Sequence, residues 1–212
     1  MAQRTAKLDW DLTIAYQETE PSIVVLAGPN GAGKSTAAPY LLRDAFAVHE
    51  FVNADVIAQG LSGFDPASVS VAAGRLMLNR LDELAADRVS FAFETTLASR
   101  TFAPWLRSQL QAGYAVHLVF LWLESEELAV ARVQRRVALG GHSVPEEVVR
   151  RRYAAGLRNF FGLYRPLVST WQVYDNGDVP EPRLIASGEA HVLEVVDPGL
   201  WQRIVRQWES DR

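Results

Sequence analysis

The segment Gly28-Pro29-Asn30-Gly31-Ala32-Gly33-Lys34-Ser35 satisfies G-x-x-x-x-G-K-[ST] at every position, and it constrains the fold more than any other feature of the chain. The pattern binds phosphate only where a strand feeds a tight loop that opens a helix. Consecutive backbone N–H groups then converge on an anion, and the helix N-terminus adds its positive end. Both neighbours are present: Ser22 to Ala27 is a short β-branched run, and a helix is expected from the lysine onward. The phosphate-binding segment is therefore read as Gly28 to Thr36. Lys34 is expected to reach the β- and γ-phosphates of ATP, and the Ser35 hydroxyl to ligate Mg²⁺. Pro39 should kink the helix that follows.

Strand-like and helix-like segments alternate through the rest of the 212 residues. His49 to Val52, Val89 to Phe93, Ala115 to Leu123 and Trp171 to Tyr174 are the further strand candidates. Continuous apolar strands separated by helices mark a parallel sheet covered on both faces. Asp65-Pro66 opens one helix, with an apolar period of Val69, Ala72, Ala73, Leu76, Met77, Leu81 and Leu84. Glu124 to Leu139 is a second, stopped by Gly140-Gly141. Ser143-Val144-Pro145 opens a third, whose buried face runs Val149, Tyr153, Leu157, Phe160 and Tyr164. Arg183 to Val196 reads as a hairpin around Ser187-Gly188, followed by a helix ending in Trp208. The expected fold is a three-layer α/β P-loop NTPase domain spanning 1–212, with a five-stranded parallel core sheet, a lid-like helical segment at about 124–165 and a small C-terminal hairpin.

Composition narrows the function classes. The chain has no cysteine, which excludes disulfides, thiolate zinc sites and a cysteine nucleophile. No run approaches the ~20 apolar residues of a membrane span, and the segment MAQRTAKLDWDLT lacks the apolar centre of a secretory signal, so a cytoplasmic protein is expected. The net charge of -4 argues against general attraction to nucleic acid. The six tryptophans are read mainly as packing residues.

Ligands of an open parallel sheet lie beyond the carboxyl ends of its strands. Asn53-Ala54-Asp55 follows the second strand candidate and Glu94-Thr95-Thr96 the third. Asp55 reads equally as a general base for an acceptor hydroxyl or as the N-cap of a helix from Val56. Glu94 reads as a site acid at the end of an apolar strand, or as a solvated loop acid. Arg132, Arg135 and Arg136 share one helix face, opposite Val130, Val133 and Val137, and Arg150-Arg151-Arg152 begins the next helix. Two basic helices joined by glycines suit a lid over triphosphate; a solvated face paired with glutamates and a nucleic-acid patch are the other readings. His142 is read as a structural or solvated loop residue, and no pair of histidines has metal-binding spacing.

Taken in order, GPNGAGKST, FVNADVIAQGL, FETTLASR, RVQRRVALGGHSVPEEVVRRRYAAGLRNF and WQVYDN resemble the zeta-toxin family of P-loop kinases, in its shorter ATPase/kinase branch, across roughly Ile23 to Asn176. The resemblance implies an adenylate-kinase-like strand order. It implies ATP and Mg²⁺ held by Lys34 and Ser35, Asp55 as base, and acceptor contacts from Asn53, Glu94, Thr95, Thr96 and Arg100. Asn53 stands where many members carry an acid. Arg132 and Arg136, or members of the 150–152 group, become lid arginines, and Asp175 and Asn176 lie near the nucleotide base. The implied activity is phosphorylation of a small hydroxyl-bearing acceptor, with a UDP-N-acetyl sugar as the family's acceptor and a small antitoxin as protein partner. A kinase of an antibiotic, simple sugar or polynucleotide end, and an ATP-binding regulatory module with little turnover, are the alternatives.

Overall fold

The computed structural model describes residues 20–177, 182–189 and 192–210; the segment MAQRTAKLDWDLT considered above lies outside them. One sheet of seven strands runs β2-β3-β1-β4-β5-β6-β7. Its members are β1 (Ser22–Ala27), β2 (Glu50–Val52), β3 (Phe91–Thr95), β4 (Ala115–Trp122), β5 (Thr170–Asp175), β6 (Arg183–Glu189) and β7 (Val192–Val195). The first five pair in parallel in the order expected, and β6 and β7 add an antiparallel edge.

Alternation along β1 divides the core. Ile23, Val25 and Ala27 face a cluster completed by α3 (Ser70–Ala86), α4 (Phe102–Gln111) and α7 (Pro198–Ser210). Val24 and Leu26 face the other cluster, with α1 (Lys34–Ala38) and α5 (Glu126–Ala138). Both faces of β1 are fully buried, as a central parallel strand requires. Helix α6 (Glu146–Asn159) belongs to both: Val149 and Tyr153 join the α5 side, while Leu157 joins the α3 side with Phe160 and Tyr164 beyond it. It thus passes from one face of the sheet to the other.

Several boundaries differ from the sequence reading. β3 begins at Phe91, because Arg88 adopts a left-handed turn (φ 56°) and Val89 N–H closes that turn on Leu84 O. It runs on through Thr95, so Glu94 is a strand residue opposite Leu26 rather than a loop acid. Ser187 and Gly188 lie within β6, and the chain reverses between Glu189 and Val192. Gly188 serves a different need there: a Cβ on it would stand 2.6 Å from a ring carbon of Trp171. Asp65 caps a short 3-10 turn (Pro66–Val69) before α3 begins. Leu76 on α3 is 45% exposed and Val137 on α5 is 38% exposed, so neither is core. At Pro39 the α-helix gives way to a π-helical segment, Pro39–Ala45. The Gly140-Gly141 stop holds: Gly140 is left-handed, and the Gly141 N–H returns to Arg136 O at 2.9 Å.

One buried polar group makes this core pH-sensitive. His117, on β4, is 7% exposed and its Nδ1 lies 2.8 Å from Thr170 Oγ1. Burial pushes its pKa down from 6.5 to about 4. Above pH 6.5 the imidazole is neutral in both states. Between 6.5 and about 4 the unfolded chain takes up a proton that the folded one refuses, so stability falls as pH drops through that window. Urea denaturation at pH 7 and pH 4.5 should show His117→Gln losing ~2 kcal/mol less than the wild type over that interval. Equal losses would place the acid sensitivity elsewhere.

Candidate functional site

The loop between β1 and α1 is held open by conformations that only glycine adopts without strain. Gly28 has φ +143°, and a Cβ there would meet Leu121 O at 2.3 Å. Gly33 has φ +78°, and its Cβ would meet Asn176 Nδ2 at 2.6 Å. The Gly33 carbonyl accepts from the N–H groups of Thr36 and Ala37, which launches the helix. Lys34 is 6% exposed and bends back so that Nζ donates to Pro29 O at 2.9 Å. Burial pulls its ammonium below the usual lysine range; Glu94 and Asp55 oppose that pull, and Arg136 adds to it. A cation set this way, beside a curled loop and a helix start, is built to receive anionic oxygens.

The neighbouring strand ends supply the counter-charge. Glu94 Oε2 accepts from the Ser35 hydroxyl and from Asn53 Nδ2, both at 2.8 Å, and Oε1 lies 3.6 Å from Lys34 Nζ. Asn53 uses its other end as a cap: Oδ1 accepts from Asp55 N–H at 2.8 Å and Val56 N–H at 3.4 Å, at the start of α2 (Ala54–Leu61). The cap is therefore Asn53 and not Asp55, and Asp55 is left exposed in the first turn. The donor set suits Mg²⁺, which takes one or two hard protein oxygens and completes its shell with phosphate and water: Ser35 Oγ and the Glu94 carboxylate meet at the phosphate loop. Among the described residues no cluster of three or more His, Asp or Glu could hold a metal by itself.

A cleft of about 420 Å³ opens from this point. Asn30, Lys34, Asn53, Asp55 and Glu94 line its phosphate end, and Thr95, Thr96, Ser99 and Thr101 continue it beyond β3. Its apolar wall is Val71, Met77, Leu78 and Phe102. The segment past β3 is unusually fixed. Leu97 is fully buried with φ 56°, a strained choice for leucine. Its N–H donates to Thr95 Oγ1 and its carbonyl accepts from Asn159 Nδ2 at 2.7 Å, while Tyr164 OH donates to Ser99 O at 2.7 Å. Strain of this kind persists where surrounding contacts over-determine it, and it concentrates at functional sites.

The arginines separate into distinct roles. Arg132 donates to the carbonyls of Asn176 and Gly177, and Asn176 Nδ2 in turn donates to Ala32 O in the phosphate loop. Asn176 is thereby committed to the loop backbone. Arg136 donates to His142 O at 2.9 Å and keeps a buried Nε–H with no partner. Arg150 pairs with Glu126, Glu127 and Glu146 at 2.8–3.0 Å, which joins the starts of α5 and α6. Arg152 lines the cleft, 3.5 Å from Asn30 Oδ1. Arg100 is exposed and does not line it. Sequence reasoning left Arg152 unresolved within its triplet and did not single out Arg75, which α3 brings to the cleft, or Asn159, which anchors the segment after β3; Tyr164, read as a packing residue, also anchors that segment at Ser99 O.

Fold and site together define a P-loop nucleotide-binding architecture of the kinase type. The sequence profile of the AAA domain family matches residues 23–162, and the chain belongs to that family. An uncharacterized protein of Haemophilus influenzae is 28% identical over 130 residues, covering 61% of this chain and 91% of that protein. Among solved structures, a chain of the AvrRxo1-ORF1:AvrRxo1-ORF2 complex with ATP superposes with a TM-score of 0.71 at 18% identity over 87% of this chain. This chain spans 63% of that one. A structure of the PezAT chromosomal toxin–antitoxin system of Streptococcus pneumoniae gives 0.60 at 12% identity, covering 95% of this chain and 91% of that one. No helix among the described residues is long and apolar enough to cross a membrane.

The double use of Asn53 is testable. Asn53→Asp keeps the capping oxygen but replaces the donor to Glu94 with a like charge, and should cost about 1–3 kcal/mol of stability. Combining it with Glu94→Gln restores a donor–acceptor pair and should recover part of the loss in a denaturant double-mutant cycle. Additive losses would show that the two side chains do not interact.

Proposed function

We propose that this chain is a Mg²⁺-ATP-dependent kinase that transfers the γ-phosphoryl group to a hydroxyl of a small acceptor, in the manner of a zeta-toxin-like protein. The observation that carries this reading is the continuity of the phosphate loop with the cleft beyond it. Asn30 and Lys34 of the loop line that cleft, and it contains a carboxylate, Asp55, that no capping role consumes. A nucleotide-binding regulatory module needs no such cleft beside its phosphate loop.

In this mechanism the phosphate loop and Lys34 hold the β- and γ-phosphates, and Ser35 with Glu94 hold the magnesium ion. Bound there, Mg²⁺ would offset the negative charge of the phosphates. Arg152, at the phosphate end of the cleft, meets the phosphoryl group as charge shifts onto its oxygens, while Arg136 secures the α5–α6 turn through His142 O. The acceptor hydroxyl attacks the γ-phosphorus, the bond to the ADP oxygen breaks, and the hydroxyl proton passes to Asp55. Thr95 and Thr96 contribute hydroxyls along the acceptor's path. Arg132 and Asn176 position the loop rather than touch phosphate. ATP is the nucleotide of a solved relative of this fold, and a second relative belongs to a toxin–antitoxin system. We extend to this chain the same nucleotide and a small antitoxin as partner, and place a UDP-N-acetyl sugar first among acceptors.

Purified protein with Mg²⁺-ATP, offered nucleotide sugars, simple sugars and short RNAs, should phosphorylate one class of acceptor. Asp55→Asn should lower that rate about 10²- to 10⁴-fold while ATP still binds, and Lys34→Ala should weaken both binding and transfer. ATP binding with no phosphorylated acceptor, unchanged by Asp55→Asn, would move the reading to a regulatory module.

A further inference from the structure

The cleft holds one more charge than the transfer of a phosphoryl group requires. Three cations line it, Lys34, Arg75 and Arg152, against two anions, Asp55 and Glu94. Lys34 and Glu94 satisfy each other, and Arg152 stands beside Asn30 at the phosphate loop. Among the described residues Arg75 has neither kind of partner. It lies on α3 in the stripe Val71, Gly74, Arg75 and Leu78, spaced i, i+3, i+4 and i+7, which is the face that forms the cleft wall. No acid stands three or four residues from it in either direction. The next arginine of the same helix behaves differently: Arg80, off the stripe, pairs with Glu50 at 3.2 Å and with Glu83 at 3.1 Å. Gly74 beside Arg75 faces open space, so nothing obstructs a ligand there.

We infer that the acceptor carries an anionic group, a carboxylate or a phosphate, and that Arg75 recognises it. The guanidinium stays charged at all physiological pH and presents paired N–H donors that match two oxygens of such a group. Asp55 and Arg75 then divide the acceptor between them: the carboxylate receives the reacting hydroxyl, and the arginine holds the anionic end. Val71, Met77, Leu78 and Phe102 cover the carbon skeleton between them. This rests on the kinase reading for the identity of the ligand as acceptor, while the anion site itself stands on the geometry of Arg75.

The test is calorimetric binding to the intact protein saturated with a non-hydrolysable ATP analogue, using matched probes: glycerol, glycerate and glycerol 3-phosphate, then N-acetylglucosamine and its 1-phosphate. The wild type should bind an anionic member at least about 10-fold tighter than its neutral counterpart. Arg75→Gln should weaken that member about 10- to 100-fold and leave the neutral probes and the ATP analogue unchanged. Arg75→Lys, which keeps the charge and loses the fork, should fall between. A preference for glycerate or for the phosphates tells which anion is read. No preference in the wild type, no binding of any anionic probe, or a preference that survives Arg75→Gln overturns the inference. Anionic probes that bind through Arg75 but are not phosphorylated with ATP would leave the anion site standing and remove the kinase reading.

Discussion

Glu94 accepts hydrogen bonds from Ser35 and Asn53 and neutralises Lys34 from 3.6 Å, and the arrangement of the whole carboxyl edge follows from that. A buried ammonium is costly unless paired, and Lys34 is 6% exposed. Pairing it required an acid on the adjacent strand at the height of the phosphate loop, which is where the register Leu26↔Glu94 puts one. The same carboxylate orders Asn53, Asn53 starts α2, and α2 presents Asp55 to the cleft. The phosphate loop, Asp55 and the cleft floor are thus linked through one side chain. Removing it would strand a buried cation, a larger penalty than any single contact it makes.

A second set of contacts fixes the end of the cleft beyond β3. Asn159 and Tyr164 hold the segment after β3 from across the sheet edge, and Gly156 lets α6 approach so closely that a Cβ there would stand 2.6 Å from Thr96 O. The strained backbone at Leu97 is maintained by this support. The phosphate-loop end and the β3 end of the cleft are therefore both built from backbone-anchored groups, with Asp55, Arg75 and Arg152 lining the space between.

The fold was legible because its signals are local. The phosphate loop is contiguous, the parallel strands are uniformly apolar, and the buried face of α6 has the spacing read from its sequence. Misreadings arose where the deciding contact is distant. Ser187-Gly188 has turn composition, yet Gly188 pairs with Trp171 on one side and Leu193 on the other, and a Cβ there would run into Val192 O and the Trp171 ring. Val89 has strand composition, but the left-handed Arg88 holds it in a turn. Asp55 reads as a cap on sequence, but Asn53 takes that place, its amide held by Glu94 from 41 residues away. Arginine spacing on α5 showed a shared face without revealing that Arg132 turns to the end of β5 and Arg136 to the α5–α6 turn. The cleft role of Arg75 has no local signature, since an arginine on an exposed helix stripe reads as solvated until the opposing elements are in place.

The tethering of α6 has a mechanical consequence. The helix is bolted near its start by Arg150 to the acids of α5, in its middle by Tyr153 OH to Leu123 O, and at its end by Asn159 to the Leu97 carbonyl. Swinging it outward as a rigid body would break all of these at once. The adaptable parts are the arginine side chains and the 139–145 connection, where Leu139 is 80% exposed. The cleft is therefore bounded like a vice with tethered jaws: these contacts set its width, and moving a side chain costs less than moving α6.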